Sequence, residues 1–218
     1  MAVTAASIVK SAQEILSDLA GVRWPAGELV RYLNEAQGEI ARVRPDQKTI
    51  TRNEALIAGA GQTIPADAQA LIDIQGNAAG RKRAIRKIDQ IQLEAVQRDW
   101  QSRAPGPEIL HYMHDIRDPR TFYVYPPASE GQLVNVVLSL YPADVPDPVG
   151  SNTYNGVAGS IDLPDHWKTS ILNYMLYRAY AKDAEYGGNA QMAAQYLALF
   201  DKDTGAQLAS TAAVAPKT

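Results

Sequence analysis

Apolar residues recur at steps of three and four near both ends of this chain, and nearer steps of two in its middle. Close to the start, Ala5, Ile8, Ala12, Ile15, Leu16 and Leu19 keep helical spacing, which predicts a helix over about 4–20 stopped by Gly21. Trp24-Pro25 opens a second helix, because proline lacks an N–H that the first turn would leave unbonded anyway. Its buried face reads as Leu29, Leu33, Ala36, Ile40 and Val43, its wet face as Glu28, Arg31, Glu35, Glu39 and Arg42, and Pro45 ends it. Residues 163–205 repeat the arrangement. Trp167, Ile171, Tyr174, Met175 and Arg178 form one stripe, Gly187-Gly188 should end that helix, and Met192, Tyr196, Leu199 and Phe200 form the next. Asp162 or Asp165 is expected to cap the third helix and Asn189 the fourth. Neither helical hairpin can bury its stripe alone, so the two should close on each other.

Between them the period changes. Residues 49–51 and 55–57 suggest short strands, Gly59 to Gln62 a turn, and Thr63-Ile64-Pro65 an edge segment. Leu71, Ile72, Ile74 and Gln75 form a further strand that turns at 77–80 into a hairpin partner over Arg81 to Ile85. A brief helix is expected over 88–97, a loop at Pro105-Gly106-Pro107, and a hairpin of 109–116 with 121–125 around Asp118-Pro119-Arg120. The run LVNVVLSLY, 133–141, is the clearest strand. Residues 142–160 are rich in Pro, Gly, Asp and Asn and have little to bury; so long a loop usually contacts something or stays mobile.

The fold class expected is α+β: a discontinuous antiparallel helical bundle, 1–44 plus 162–210, with a small antiparallel β-rich domain inserted at 45–161. That domain would carry the long loop 142–160, and 211–218 would be a flexible tail.

Composition adds exclusions. A chain of 218 residues with 46% hydrophobic content can build a real core in one or two domains. The absence of cysteine removes disulfides, Cys-ligated zinc and thiol catalysis. Lys10 and Glu14 interrupt the N-terminal apolar positions, so no signal peptide is expected, and no apolar run approaches a membrane span. Net charge is -3, and nothing marks the whole chain as a binder of nucleic acid or acidic lipid.

Candidate chemistry is sparse. His111 and His114 are three apart, and in a strand their rings point to opposite faces, which argues against a zinc pair. The pairs Asp115/Asp118, Asp144/Asp147 and Asp162/Asp165 stand where turns and caps favour aspartate. No G-x-S-x-G, G-x-G-x-x-G or Walker pattern occurs, so no cofactor is expected. A hydrolase acting on polysaccharide would need two converging carboxylates, which the spacing does not provide. Arg81, Lys82 and Arg83, with Arg86 and Lys87, form the one basic cluster, the sole support for a nucleic-acid-binding regulator. A solvated face, or acids on a neighbouring subunit, suits it better. Tyr is frequent, eleven against two Phe, as at half-wet surfaces. In FYVYPP, Tyr123, Tyr125, Pro126 and Pro127 make a stiff corner, either a packing knuckle or an interface.

Taken in order, WPAGELVRYLNEAQGEIARVRP (24–45), ALIAGAGQTIPADAQALIDIQGN (55–77), DPRTFYVYPP (118–127) and LPDHWKTSILNYMLYRAYAKDAEYGGNAQMAAQYLALFDKDTG (163–205) resemble the head-to-tail adaptor proteins of tailed bacteriophages, especially the tail tubular A type of short-tailed phages. The resemblance implies a structural virion protein with no active site. Twelve identical subunits would form a ring between the portal protein and the tail nozzle protein, assembled in the host cytoplasm, with genomic DNA passing through the lumen. Candidate contacts to subunits or partners are then Tyr125, Pro126 and Pro127; Asp147, Tyr154 and Asn155 in the long loop; Arg81, Lys82 and Arg83; and Leu208 and Val214 in the tail. The loop and the tail would order only on assembly, leaving free subunits monomeric.

Overall fold

Thr4 caps the first helix of the computed structural model, its hydroxyl accepting the Ser7 N–H at 3.3 Å. The structure describes residues 3–115, 117–183 and 187–205. It divides into a helical unit, Met1–Gln47 with Pro142–Thr218, and a β unit, Lys48–Tyr141. The architecture is α+β, a discontinuous antiparallel bundle with a β-rich domain inserted in the chain between its halves.

Helix α1 (Ala5–Ile15) stops five residues short of the expected Ala20. Ser17 adopts a positive φ of 55°, and the Asp18 carboxylate takes the N–H groups of Val22, Arg23 and Trp24 at 2.8–2.9 Å. One acid side chain therefore makes a turn where apolar spacing alone continues a helix. Ile15 and Leu19, expected in the core, are 44% and 52% exposed. Helix α2 (Ala26–Val43) buries Leu29, Leu33, Ala36 and Ile40 completely; Val43 is only half-buried.

After one 3-10 turn (Asp165–Trp167), α4 (Lys168–Lys182) ends well before Gly187-Gly188. Neither expected aspartate caps it. Asp165 instead accepts the Val3 N–H at 2.9 Å and Asp162 that of Ala143 at 2.7 Å, so both fasten other segments. Asn189 does not cap α5 (Asn189–Thr204) either, because its side-chain amide donates to the Asp183 carbonyl at 3.1 Å. Gly205, at φ 69°, closes α5 in the left-handed conformation. Leu199, expected on the buried stripe of α5, is 46% exposed, whereas Phe200 is buried.

The core of this unit joins Ile8, Leu29, Leu33, Ile40, Ile171, Met175 and Leu176, so N- and C-terminal helices share one interior. Each such side chain contributes about 1.5–3 kcal/mol on burial. Polar bonds fix how α2 meets α4. The Trp24 indole N–H donates to the Ala179 carbonyl at 3.3 Å, Lys182 pairs with Glu28 at 2.7 Å, and Arg178 pairs with Glu35 while lying 5.0 Å above the Tyr32 ring.

In the β unit, β1 (Thr49–Leu56), β7 (Gln132–Leu140) and β3 (Ala68–Asn77) form one sheet in the order β1-β7-β3. The second sheet runs β2-β6-β5-β4, from β2 (Gly59–Thr63), β4 (Arg86–Lys87), β5 (His111–Met113) and β6 (Thr121–Ala128). Leu71, Ile74, Ile109, Tyr112, Phe122, Val124, Val134, Val136 and Leu138 fill the interior.

Several elements differ from expectation. β1 is one continuous strand rather than two. Gly59 to Gln62 is strand rather than turn, because the Gln62 amide grips the connection, accepting the Ile57 N–H and donating to the Ile57 and Gly59 carbonyls at 2.8–3.0 Å. The hairpin partner at 81–85 shrinks to a single bridge, Gly76 with Ala84, and the chain then joins β5 in parallel through β4. β6 runs on to Ala128, and β5 is shorter than the expected 109–116; Ile116 lies outside the described residues. The short helix α3 (Gln90–Val96) is where expected, and its Leu93 packs with Trp100 and Met113 in a small separate cluster.

The long segment 142–160 corrects its expected place most clearly. It belongs to the helical unit, not to the β domain, and it has something to bury: Val145 and Val157 are 3% and 8% exposed. It is held as a strap by amide side chains of the helices. The Asn34 amide donates to the Val145 carbonyl and accepts the Val145 N–H, both at 2.9 Å. Gln13 accepts the Tyr154 N–H at 3.1 Å and donates to the Asn152 carbonyl at 3.4 Å, and Gln37 accepts the Asp162 N–H at 2.7 Å. Gln13 and Gln37 are buried, so these bonds satisfy polar groups on both sides. Apolar content was the wrong measure of its burial, since backbone bonds and two valines suffice.

Candidate interaction surfaces

Three surfaces contain the candidate contacts, and the local fold decides what each can offer. The first is the FYVYPP corner in β6. Val124 and Phe122 face the interior, while Tyr123 and Tyr125 take the opposite side by the strand's two-residue period. Tyr125 is engaged within the β unit: its ring stacks on His111 at 6.4 Å, and its hydroxyl bonds Gln97 and accepts from Arg103 at 3.2 Å. Pro127 is buried, and a Cβ added at Gly106 would come 2.8 Å from the Pro126 ring, so glycine is what lets loop and proline meet. The packing-knuckle reading accounts for Tyr125, Pro126 and Pro127. Tyr123, 38% exposed and edge-on to Trp100 at 5.7 Å, is the aromatic this corner presents.

The strap is the second surface. Asp147 and Asn155 are exposed, and Tyr154 is half-buried with the Lys10 ammonium 5.5 Å from its ring. Val149, 83% exposed, sits between the Asn34 and Gln13 anchor points and was not singled out from the sequence. Its isolation in a polar run hides it from any periodicity test.

Arg81, Lys82, Arg83, Arg86 and Lys87 form the third. All five are exposed, and among the described residues none makes an ion pair. Lys82 has a positive φ of 50°, and the Glu108 carboxylate accepts the Arg81 N–H at 3.2 Å. Beneath them, buried Asn77 ties the corner down. Its amide donates to the carbonyls of Arg83 and Ile109 at 3.0 and 2.8 Å, and its oxygen accepts the Ile109 N–H at 2.9 Å. Leu208 and Val214 lie outside the described residues.

Among the described residues no three His, Cys, Asp or Glu side chains gather as metal ligands, and Asp115 is held low, at about 2, by its bonds to exposed Arg117. Among the described residues no helix is long and apolar enough to cross a membrane. His111 lies in β5 and His114 just past its end. His111 Nδ1 and His114 Nε2 are each buried without a hydrogen-bond partner among the described residues.

Burial and then the charge of Lys87 push the His114 pKa below its ordinary value, against the opposing pull of the Pro119 backbone, Asp115 and Asp118. A folded pKa below the unfolded one means that the unfolded chain binds the proton first. The β unit should therefore lose stability as pH falls below about 6.5, the loss levelling off once the folded imidazole also titrates. A His114→Gln variant should flatten that slope in denaturant melts at pH 7.5 and 5; an unchanged slope would exclude His114 as its source.

The described residues thus fold into two units that present solvent-facing cations and an anchored strap. Comparison with protein families then matches residues 3–217 to the SU10 adaptor protein family, and the chain belongs to that family. Its resemblance to the head-to-tail adaptors of tailed phages is thereby borne out, and the protein is a phage structural adaptor. No curated protein matches the sequence.

Proposed function

We propose that this chain is the ring-forming subunit of the phage neck, twelve copies of which join the portal protein to the tail nozzle protein and continue the DNA channel. The observation that carries this reading is the family match, which runs through both units and so covers the strap and the basic corner together. The two units suit the role differently. The helical unit carries ten Lys and Arg against fourteen Asp and Glu, the β unit eleven against ten. A cyclic ring brings unlike faces of neighbours together, and such an asymmetry favours a head-to-tail order. The strap presents Asp147, Val149 and Asn155 on a scaffold that is already folded, so docking costs little ordering entropy. Genomic DNA would pass without base-specific contact, and assembly would take place in the host cytoplasm.

The test is to mix the purified chain with its cognate portal protein and weigh the product by light scattering. A single species heavier than the portal by twelve subunits is the expected result. No association, or a different copy number, would refute the ring.

A further inference from the structure

The four outer strands of the two sheets are not equally protected. β3 carries three register shifts along its pairing with β7, β2 has one and is five residues long, and β4 is only two residues. β1 differs from all of them. It is eight residues long, pairs with β7 without a shift from Thr49 to Leu56, and contains no proline. A long regular edge of this kind is a template for another strand.

The outward groups of this edge can be assigned. Leu140 N–H donates to the Lys48 carbonyl at 2.8 Å, which makes 48 and 140 a bonded pair. Bonded positions alternate in an antiparallel ladder, so Ile50, Arg52 and Glu54 bond β7, while Thr49, Thr51, Asn53 and Ala55 direct their backbone groups outward. The bond from Ala78 N–H to the Leu133 carbonyl agrees, since it turns the odd positions of β7 toward β3.

We infer that β1 is a self-pairing edge, and that the free chain forms a two-fold dimer by antiparallel β1–β1 addition centred on Asn53. Odd positions must meet odd positions for the ladder to close, which leaves few registers. In the one centred on Asn53, Arg52 lies opposite Glu54 of the second copy, and the symmetry repeats that pair. Thr51 faces Ala55, and Ile50, 38% exposed, faces Leu56. One step away on either side fails: centring on residue 52 sets Arg52 against itself, and centring on 54 does the same to Glu54. The favoured register also makes the Arg52–Glu54 contacts non-hydrogen-bonded pairs, where side chains stand closest. Both residues lie opposite Val136 and Val134 of β7, on the core-facing side of the sheet, and are only half exposed. Within one chain Arg52 already bonds Glu54 and Asp67, so pairing exchanges existing partners for equivalent ones and strands no charge.

The dimer is a property of the free chain, and it does not rest on the ring reading; a failed portal experiment leaves it standing, and its own failure leaves the ring standing. The test is sedimentation of the full chain from micromolar to near-millimolar concentration. A monomer–dimer equilibrium is expected. Arg52→Glu alone and Glu54→Arg alone each set like charges opposite one another twice and should weaken the dimer about tenfold or more. An equimolar mixture of the two variants restores both opposite-charge pairs and should restore the dimer. A wild-type chain that stays monomeric, a mass other than two copies, single variants that dimerise as the wild type does, or a mixture without rescue would each overturn the proposal. Melting curves check that the variants fold. If one does not, Thr51→Pro removes an outward N–H without touching the β7 ladder; loss of the dimer then supports the pairing, and its retention overturns it.

Discussion

Gly21→Ala is expected to destabilise the helical unit by about 3 kcal/mol or more, because strain and overlap act together. Gly21 has a φ of 63°, where a side chain strains the backbone. A Cβ there would overlap the Asn152 carbonyl oxygen and lie 2.9 Å from its carbon. Neither neighbour can yield cheaply. Asn152 is backbone within the strap, and the Ala26 N–H donates to the same carbonyl at 2.7 Å, as does the Gln13 amide at 3.4 Å. The variant must push the strap off its anchor at the start of α2. Its thermal transition should fall by roughly 6–12 °C, and protease should cut near residue 152 first. A melting point within about 2 °C of the wild type, on the same scaling, would show that Gly21 and the strap are not coupled as described.

Asn77→Ala should be the most damaging small change in the β unit, at about 2–4 kcal/mol. Its amide satisfies both backbone groups of Ile109 in a buried setting, and alanine leaves that N–H and carbonyl without these partners. Each buried orphan costs about 1–3 kcal/mol. The Arg83 carbonyl keeps its bond from the Asn77 N–H, which limits the loss. Hydrogen exchange at Ile109 and around 81–85 should accelerate while that of α2 and α4 does not. Uniform acceleration through both units would instead mean that they unfold together.

The bundle was legible in the sequence because its stripes are long and regular. Leu29, Leu33, Ala36 and Ile40, or Trp167, Ile171 and Met175, announce a buried face on their own, and the need of two hairpins for each other follows. The helix ends were not legible. Asp18 ends α1 by capturing three amides beyond it, and Asp165 and Asn189 look like caps yet bond Val3 and Asp183. A short polar side chain serves a cap or a distant backbone group equally well, and only tertiary proximity decides which.

The same difficulty hid the strap. Its partners, Gln13, Asn34 and Gln37, sit on helices at positions that a hydropathy pattern scores as polar and therefore wet. Two of them are in fact among the most buried residues of the unit. The central strand at 132–140 was plain from its branched residues, whereas β2 was not, since glycine, alanine and glutamine carry no strand signal and Gln62 shapes that connection with its side chain. Of the candidate contacts, the basic corner could be found from charge alone. Tyr123 could be found with the rest of the FYVYPP corner, but Val149 could not, because exposure of a single apolar side chain leaves no periodic trace.

The way the strap is fastened has a consequence for how such a protein can change. Asn34 and Gln13 grip peptide groups of Val145, Asn152 and Tyr154, which every amino acid except proline can supply in full. Between those grips Pro146, Asp147, Val149 and Gly150 are exposed, whereas half-buried Pro148 lies over Gly27 of α2. A lineage could rewrite that short stretch to greet a different tail component while the framework below it stayed as it is.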